Sequence, residues 1–243
     1  MLYKISVVIR TYNEDKHLEE VFQSLRSQTF QNFEVIVVDS ESTDRTLEIA
    51  KKYGANIVHI RKQNFNYSYA SNIGVQNASG ELVCFLSGHS VPCSDTYLMR
   101  TLEIFKNDQI GGCYGDVVAL SDGSVTEKLF NGLGYAKNIL LSRSRTVTLE
   151  SAIHQGILSC NNACIRRNLL LSHPFVEALG AGGEDIEVAY RILQDGYLIA
   201  KVPKLLVRHS HGEGILDFRK SLKSWKEMYS NVLEYIRTLP EEK

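Results

Sequence analysis

Long hydrophobic runs, paired cysteines and an excess of one charge are all missing from this chain, and each absence narrows what it can be. The five cysteines (Cys84, Cys93, Cys113, Cys160 and Cys164) are odd in number, show no Cys-x-x-Cys spacing and sit mostly inside apolar segments. That pattern argues against a disulfide framework or a four-cysteine zinc site and fits buried thiols in a reducing compartment. The amino-terminal MLYKISVVIRTYNE has an apolar run of only about five residues before Arg10, too short for a signal-peptide core or a membrane span. With 27 basic and 28 acidic residues spread along 243 positions, no basic stripe stands out, so nucleic acid is not an expected partner. The expectation is a cytoplasmic protein whose 44% hydrophobic content suffices for one large core.

What is present is an alternation of apolar strands and helices. Ile5 to Ile9 is a β-branched run, followed by Asn13 as a candidate helix cap and by Leu18, Val21, Phe22 and Leu25 at helical spacing. Phe33 to Val38 predicts a second strand ending in Asp39, after which Ser42 could cap a helix carrying Leu47, Ile49 and Ala50. Asn56 to Ile60 and Glu81 to Leu86 predict two more strands, separated by a helix over about 70–76. Strands apolar throughout, joined by helices, imply an α/β fold with a mostly parallel central sheet covered on both faces.

Further on, Tyr97 to Phe105 reads as a helix and Gly112 to Ala119 as a strand, while 120–150 is polar and serine-rich and reads as a variable insertion. Glu184 to Gln194 is helical, and a short strand pair is expected over Tyr197 to Val202 and Leu205 to His209. Ile215, Phe218, Leu222, Trp225, Tyr229, Val232 and Ile236 recur at spacings of three and four beside Arg219, Lys220, Lys223 and Lys226. That is a C-terminal amphipathic helix with a basic face, suited to packing on its own domain, to a twin chain, or to peripheral membrane contact.

In open parallel sheets, ligands bind beyond the carboxyl ends of the strands. Thr11, Tyr12, Asn13, Asp39, Arg61, Ser87, Gly88 and His89 fall there and are polar where their strands are not. Strand one runs into no Gly-x-Gly-x-x-Gly turn, which argues against a dinucleotide enzyme. Asp39 could grip a ribose or a base, or could simply cap the turn that follows it.

The stretches SVVIRTYNE (6–14), VIVVDSESTD (35–44), NIG (72–74) and ASGE (78–81), in this order and spacing, resemble the nucleotide-binding half of glycosyltransferase family 2, whose fold is called GT-A. NNACIRR (161–167) and GEDIEVAYR (183–191) resemble that family's acceptor-side motifs, so the likeness covers about two thirds of the chain. It implies a catalytic domain over 1–212, with a nucleotide-binding half (1–95), an acceptor-side half (96–212) and an insertion at about 120–155, followed by the helix at 213–243.

The resemblance also implies an inverting transfer of a hexosyl or deoxyhexosyl unit from a nucleotide-sugar donor to a glycan or lipid-linked acceptor. Such a protein would work in the cytoplasm or at the inner face of the membrane. Thr11, Asn13, Asp39, Asn72 and Ser87 would hold the donor, and Asp185 would be the general base with Glu184 beside it. Acidic residues in a first helical turn also occur for capping alone. The family's Asp-x-Asp cation motif is replaced by Ser87-Gly88-His89, so either a divalent cation (Mn²⁺ or Mg²⁺) would fall to His89 with His209 or His211, or His89 would join the donor-binding residues and hydrogen-bond the diphosphate directly without a metal. Loss of that motif leaves a second reading open, a catalytically silent nucleotide-sugar or glycan-binding protein. Arg166, Arg167 and Arg191 could face the diphosphate but equally fit surface ion pairs.

Overall fold

The computed structural model describes residues 4–141, 147–180, 182–212 and 214–239; the side chains of Phe218 and Arg219, and of several positions late in the helix over 125–141, lie outside the described residues. Its first half runs β1 (Ile5–Thr11), α1 (Asp15–Arg26), β2 (Phe33–Asp39), α2 (Thr46–Lys52), β3 (Asn56–His59), α3 (Tyr67–Asn77), β4 (Leu82–Ser87), β5 (Val91–Pro92) and α4 (Tyr97–Ile104). The second half runs β6 (Ile110–Val118), α5 (Val125–Leu141), β7 (Thr148–Glu150), β8 (Asn162–Arg166), α6 (Arg167–Ser172), α7 (Glu184–Gln194), β9 (Leu198–Arg208) and α8 (Ile215–Arg237).

One sheet orders the strands β3-β2-β1-β4-β8-β6-β9-β5, with β7 also paired to β9. β3, β2, β1 and β4 are mutually parallel, β1 lying between β2 and β4, while the short β5 pairs antiparallel with β9. Beyond β4 the sheet is mixed: β8 is antiparallel to β4 and β6, while β6 and β9 are parallel. The mostly parallel expectation thus holds for the half that was read from continuous apolar runs, and the antiparallel strands lie where the pattern loosened. β1 is buried on both faces because it feeds two cores. Ile5, Val7 and Ile9 pack with Leu18, Val21, Phe22 and Leu25 of α1, and Val8 packs with Ala70 and Val75 of α3 and with Ile186 of α7 on the other side.

The expected strand pair near the C-terminus is instead the single long strand β9. Opposite it, Gly115 aligns with Val202 and Val117 with Val207, so the segment 203–206, which contains Pro203, bows out of the ladder. Gly115 sits where that bow comes closest. A Cβ there would lie 1.6 Å from the Leu205 carbonyl oxygen, so only glycine fits. The region read as a polar insertion contains α5 and β7.

Asn162 fastens this half. Its Oδ1 accepts from the buried Tyr97 hydroxyl at 2.7 Å, and its Nδ2 donates to the carbonyls of Leu205 (2.7 Å) and Asp116 (3.0 Å), joining α4, β6, β8 and β9. Asn162→Ala strands a hydroxyl and two carbonyls in the interior and is expected to lower unfolding stability by about 3 kcal/mol, read by chemical denaturation. A loss under about 1 kcal/mol would show that water replaces the amide there.

Candidate active site

The carboxyl ends of β1 and β4, the start of α7, the end of β9 and one face of α8 enclose a cleft of about 1090 Å³. Thr11, Ser87, His89, Glu184, Asp185, His209 and His211 all line it. Asp39, Asn13 and Asn72 do not. Asp39 is fully buried behind Thr11, accepting from Thr11 Oγ1 (3.0 Å) and from the backbone N–H (3.0 Å) and hydroxyl (2.5 Å) of Ser42. It shapes the floor of the cleft through Thr11.

Asn13 does not cap α1, which begins after Glu14 with no side-chain cap. At φ 55° it takes the left-handed conformation that asparagine tolerates, and its Oδ1 accepts from the Thr43 N–H at 2.8 Å while its own N–H reaches Ser42 Oγ at 2.9 Å. Ser42 likewise does not cap α2; Asp44 serves that end, accepting from the Thr46 N–H at 2.9 Å. The loops after β1 and β2 are therefore laced to each other by the polar residues that sequence reading assigned to caps. Asn72 faces the opposite way, bonding both backbone groups of Phe175 at 2.9 Å, and so holds α3 to the segment before α7.

The three histidines meet. The ring nitrogens of His89, His209 and His211 that could bind an ion all lie within 4.8 Å of one another. His209 follows β9, is nearly buried, and sets its Nδ1 3.0 Å from Ser90 Oγ and its Nε2 3.1 Å from His211 Nε2. Its ring stacks on His89 at 4.5 Å. Burial, then the neighbouring His89 and His211, push the pKa of His209 down to about 2, so this imidazole is neutral. His89 Nδ1 lies 2.8 Å from Glu14 Oε2, a pairing that turns Nε2 toward the other two imidazoles when Nδ1 donates. That Nε2 is buried without a hydrogen-bond partner. Facing ring nitrogens, a neutral His209 and an unpartnered His89 Nε2 suit a divalent cation, and manganese or another ion that accepts nitrogen suits them better than magnesium, which prefers oxygen.

Across the cleft stands the first turn of α7, entered through Gly183 at φ 90°, where a side chain would be strained and a Cβ would lie 2.3 Å from Val232 Cγ2. Glu184 is buried and pairs at 3.3 Å with Arg10, which also donates to Ser71 Oγ (3.1 Å) and the Tyr67 carbonyl (3.3 Å) and lies over the Tyr67 ring. Asp185 has no such cation in contact. Burial, then repulsion from Glu184, raise its pKa to about 7, against the Ile186 N–H and Arg10, which pull it down. These two adjacent carboxylates thus have separate duties: Glu184 is tied to a cation and Asp185 has a pKa near neutrality.

Arg166, Arg167 and Arg191 play structural parts. Arg166 binds the carbonyls of Ile110, Phe105 and Asn107, Arg167 that of Val75, and Arg191 that of Pro174 together with Glu187. Among the described residues lining the cleft, Arg10 is the only lysine or arginine, and it is committed to Glu184.

Residues 6–170 match the glycosyl transferase family 2 model. This chain belongs to glycosyl transferase family 2. Similar proteins include the O-antigen chain rhamnosyltransferase WbaN of Salmonella anatum, 28% identical over 214 residues, which are 85% of this chain and 66% of WbaN. The minor teichoic acid biosynthesis protein GgaB of Bacillus subtilis (strain 168) is 27% identical over 238 residues, 92% of this chain but 25% of GgaB. The chain therefore spans just under two thirds of one relative and a quarter of the other. Glucosyl-3-phosphoglycerate synthase from Mycobacterium tuberculosis, solved with Mn²⁺, uridine diphosphate and glucosyl-3-phosphoglycerate, superposes with a TM-score of 0.66 at 21% identity over 99% of this chain and 82% of its own, which shows a shared GT-A fold.

Sequence reading of this family 2 chain missed Arg10 and Glu14. Both stand in SVVIRTYNE, and the signal was available: a charged residue closing a wholly apolar strand must find a buried partner. The raised pKa of Asp185 has a consequence for stability. A carboxyl whose folded pKa exceeds its unfolded value near 4 destabilises the fold as pH rises through that window and up to about 7. Asp185→Asn is expected to raise the melting temperature at pH 8 and to leave it unchanged near pH 4; equal effects at both would show that Asp185 ionises normally.

Proposed function

We propose that this chain transfers a sugar from a nucleotide-sugar donor to an acceptor hydroxyl with inversion at the anomeric carbon. The observation that carries the reading is that Asp185, held near neutrality, and the three imidazoles share one cleft. Thr11, braced from behind by Asp39, and Ser87 line the donor's side of the cleft, with the laced loops of Asn13 and Ser42 setting its shape. Asp185 Oδ accepts the proton of the acceptor hydroxyl as that oxygen bonds to the anomeric carbon. The bond from that carbon to the diphosphate breaks, and the nucleoside diphosphate leaves with the electron pair. A base with pKa near 7 is half ionised at neutral pH and strong enough to take that proton.

His89, His209 and His211 would hold a divalent cation, which when bound supplies positive charge against the departing diphosphate in a cleft where Arg10 is already engaged. Asn161 lines the same cleft with its Oδ1 buried and unpartnered, placed to accept from a sugar or acceptor hydroxyl. The names of WbaN and GgaB, a rhamnosyltransferase and a teichoic acid biosynthesis protein, support a hexosyl or deoxyhexosyl donor and a glycan acceptor.

Asp185→Asn is expected to lower kcat by roughly a thousandfold while the donor Kd stays within about twofold, and the wild-type kcat/KM to fall tenfold per unit below about pH 7. Unchanged turnover with intact donor binding would remove Asp185 from the mechanism, and donor binding with no turnover in the wild type would favour the silent-binder reading. In parallel, His89→Ala should weaken Mn²⁺ binding, followed by electron paramagnetic resonance without substrate, by at least about tenfold. Equal Mn²⁺ affinity in both proteins would rule the imidazoles out as ligands.

A further inference from the structure

Outside the cleft, two helices present an apolar surface that no described part of the fold covers. α5 buries Glu127, while Val125, Leu129 and Leu133, spaced four apart on one face, are 82%, 57% and 61% exposed. At the start of α8, Ile215 and Leu216 are 61% and 68% exposed, and Leu222 continues the surface to the wall of the cleft. The amino-terminal ends of the two helices are fixed beside each other, because Glu127 Oε1 accepts from the N–H groups of His211 and Gly212 just before α8. Single exposed apolar residues are ordinary on a soluble protein, but six on two tethered helices form a surface.

Charge identifies the occupant. From Lys128 to Leu149 the sequence carries Lys128, Lys137, Arg143 and Arg145 and no Asp or Glu; from Phe218 to Lys226 it carries Arg219, Lys220, Lys223 and Lys226, again with no acid. Of these, Lys128, Lys220, Lys223 and Lys226 are among the described residues and are exposed on the same two helices as the apolar side chains. A second copy docking face to face would set these basic segments against each other. An anionic bilayer accepts both the apolar side chains and the cations. Among the described residues no helix is long and apolar enough to cross a membrane, so contact through this surface would lie in the interfacial plane.

We propose that α5 and the first half of α8 dock this protein on an anionic lipid surface, with the cleft opening beside the bilayer. The inference stands on exposure and charge and does not require the transferase reading; its test uses no nucleotide and no turnover.

The full chain is sedimented with phosphatidylcholine vesicles and with vesicles in which a third of the lipid is phosphatidylglycerol. Binding is expected only to the latter and to weaken at high salt. Leu129→Glu with Leu133→Glu, and separately Lys220→Gln with Lys223→Gln, should each lower the partition coefficient about tenfold or more, while Leu171→Glu, an exposed leucine on α6, should leave it unchanged. Among the described residues the lysine pair forms ion pairs only with Asp217 and Glu227 on its own helix, so that variant keeps the fold even if the leucine pair does not. No binding to the anionic vesicles, equal binding to both vesicle types, or wild-type binding by the lysine variant overturns the proposal. A dimer seen by light scattering that the leucine variant dissolves, without lipid binding, assigns the surface to a second copy instead.

Discussion

The Arg10–Glu184 ion pair is the contact on which the geometry of the cleft depends. It joins the last turn of the central strand to the first turn of α7, two pieces of chain 174 residues apart. Both partners are largely out of water, so neither can be removed without leaving an uncompensated charge inside. The pair does two things at once. It fixes α7 against β1 and α3 through Ser71 and Tyr67, and it commits the only arginine among the described residues lining the cleft to Glu184, leaving the adjacent Asp185 with a repelling neighbour and a raised pKa.

The same economy appears on the other side of the cleft. Where family relatives are expected to place two carboxylates for a cation, this chain has Ser87-Gly88-His89, and the fold brings two more imidazoles from the end of β9 to the same spot. Glu14 keeps a carboxylate in the arrangement, one step removed, where it orients His89 through Nδ1. An exchange of oxygen for nitrogen donors alters which ions fit and lessens the negative charge facing a diphosphate.

The parallel strands were legible because a strand buried on both faces is apolar along most of its length, and β1, β2 and β4 are, apart from Ser6, Glu34 and the polar residues at their carboxyl ends. Asp185, Glu184, His89, His209 and His211 could be named from motif and residue chemistry. The meeting of His89 with His209 or His211 followed from the family resemblance alone; the local pattern did not show it, because it depends on β9 running on through Pro203 to deliver two histidines beside β4. Proline and the lysine after it read locally as a turn; the ladder instead bows around them against Gly115. Asn13 and Ser42 were misread as caps for a related reason. Short polar side chains favour helix starts, but here two loops side by side gave them each other as partners. α5 escaped notice because Val125, Leu129 and Leu133 face away from the core, and periodicity alone does not say where a stripe points.

The central claim is that one bound donor spans the cleft, its diphosphate at the imidazoles and its anomeric carbon toward Asp185. A crystal structure with Mn²⁺ and a nucleotide sugar, using anomalous scattering to place the ion, tests it most directly. The account predicts an anomalous peak bound by His89, His209 and His211 nitrogens, with a diphosphate oxygen beside it and Asp185 on the side of the sugar opposite the leaving group. A donor bound with its diphosphate away from the histidines, or with Asp185 on the same side as the leaving group, would contradict it.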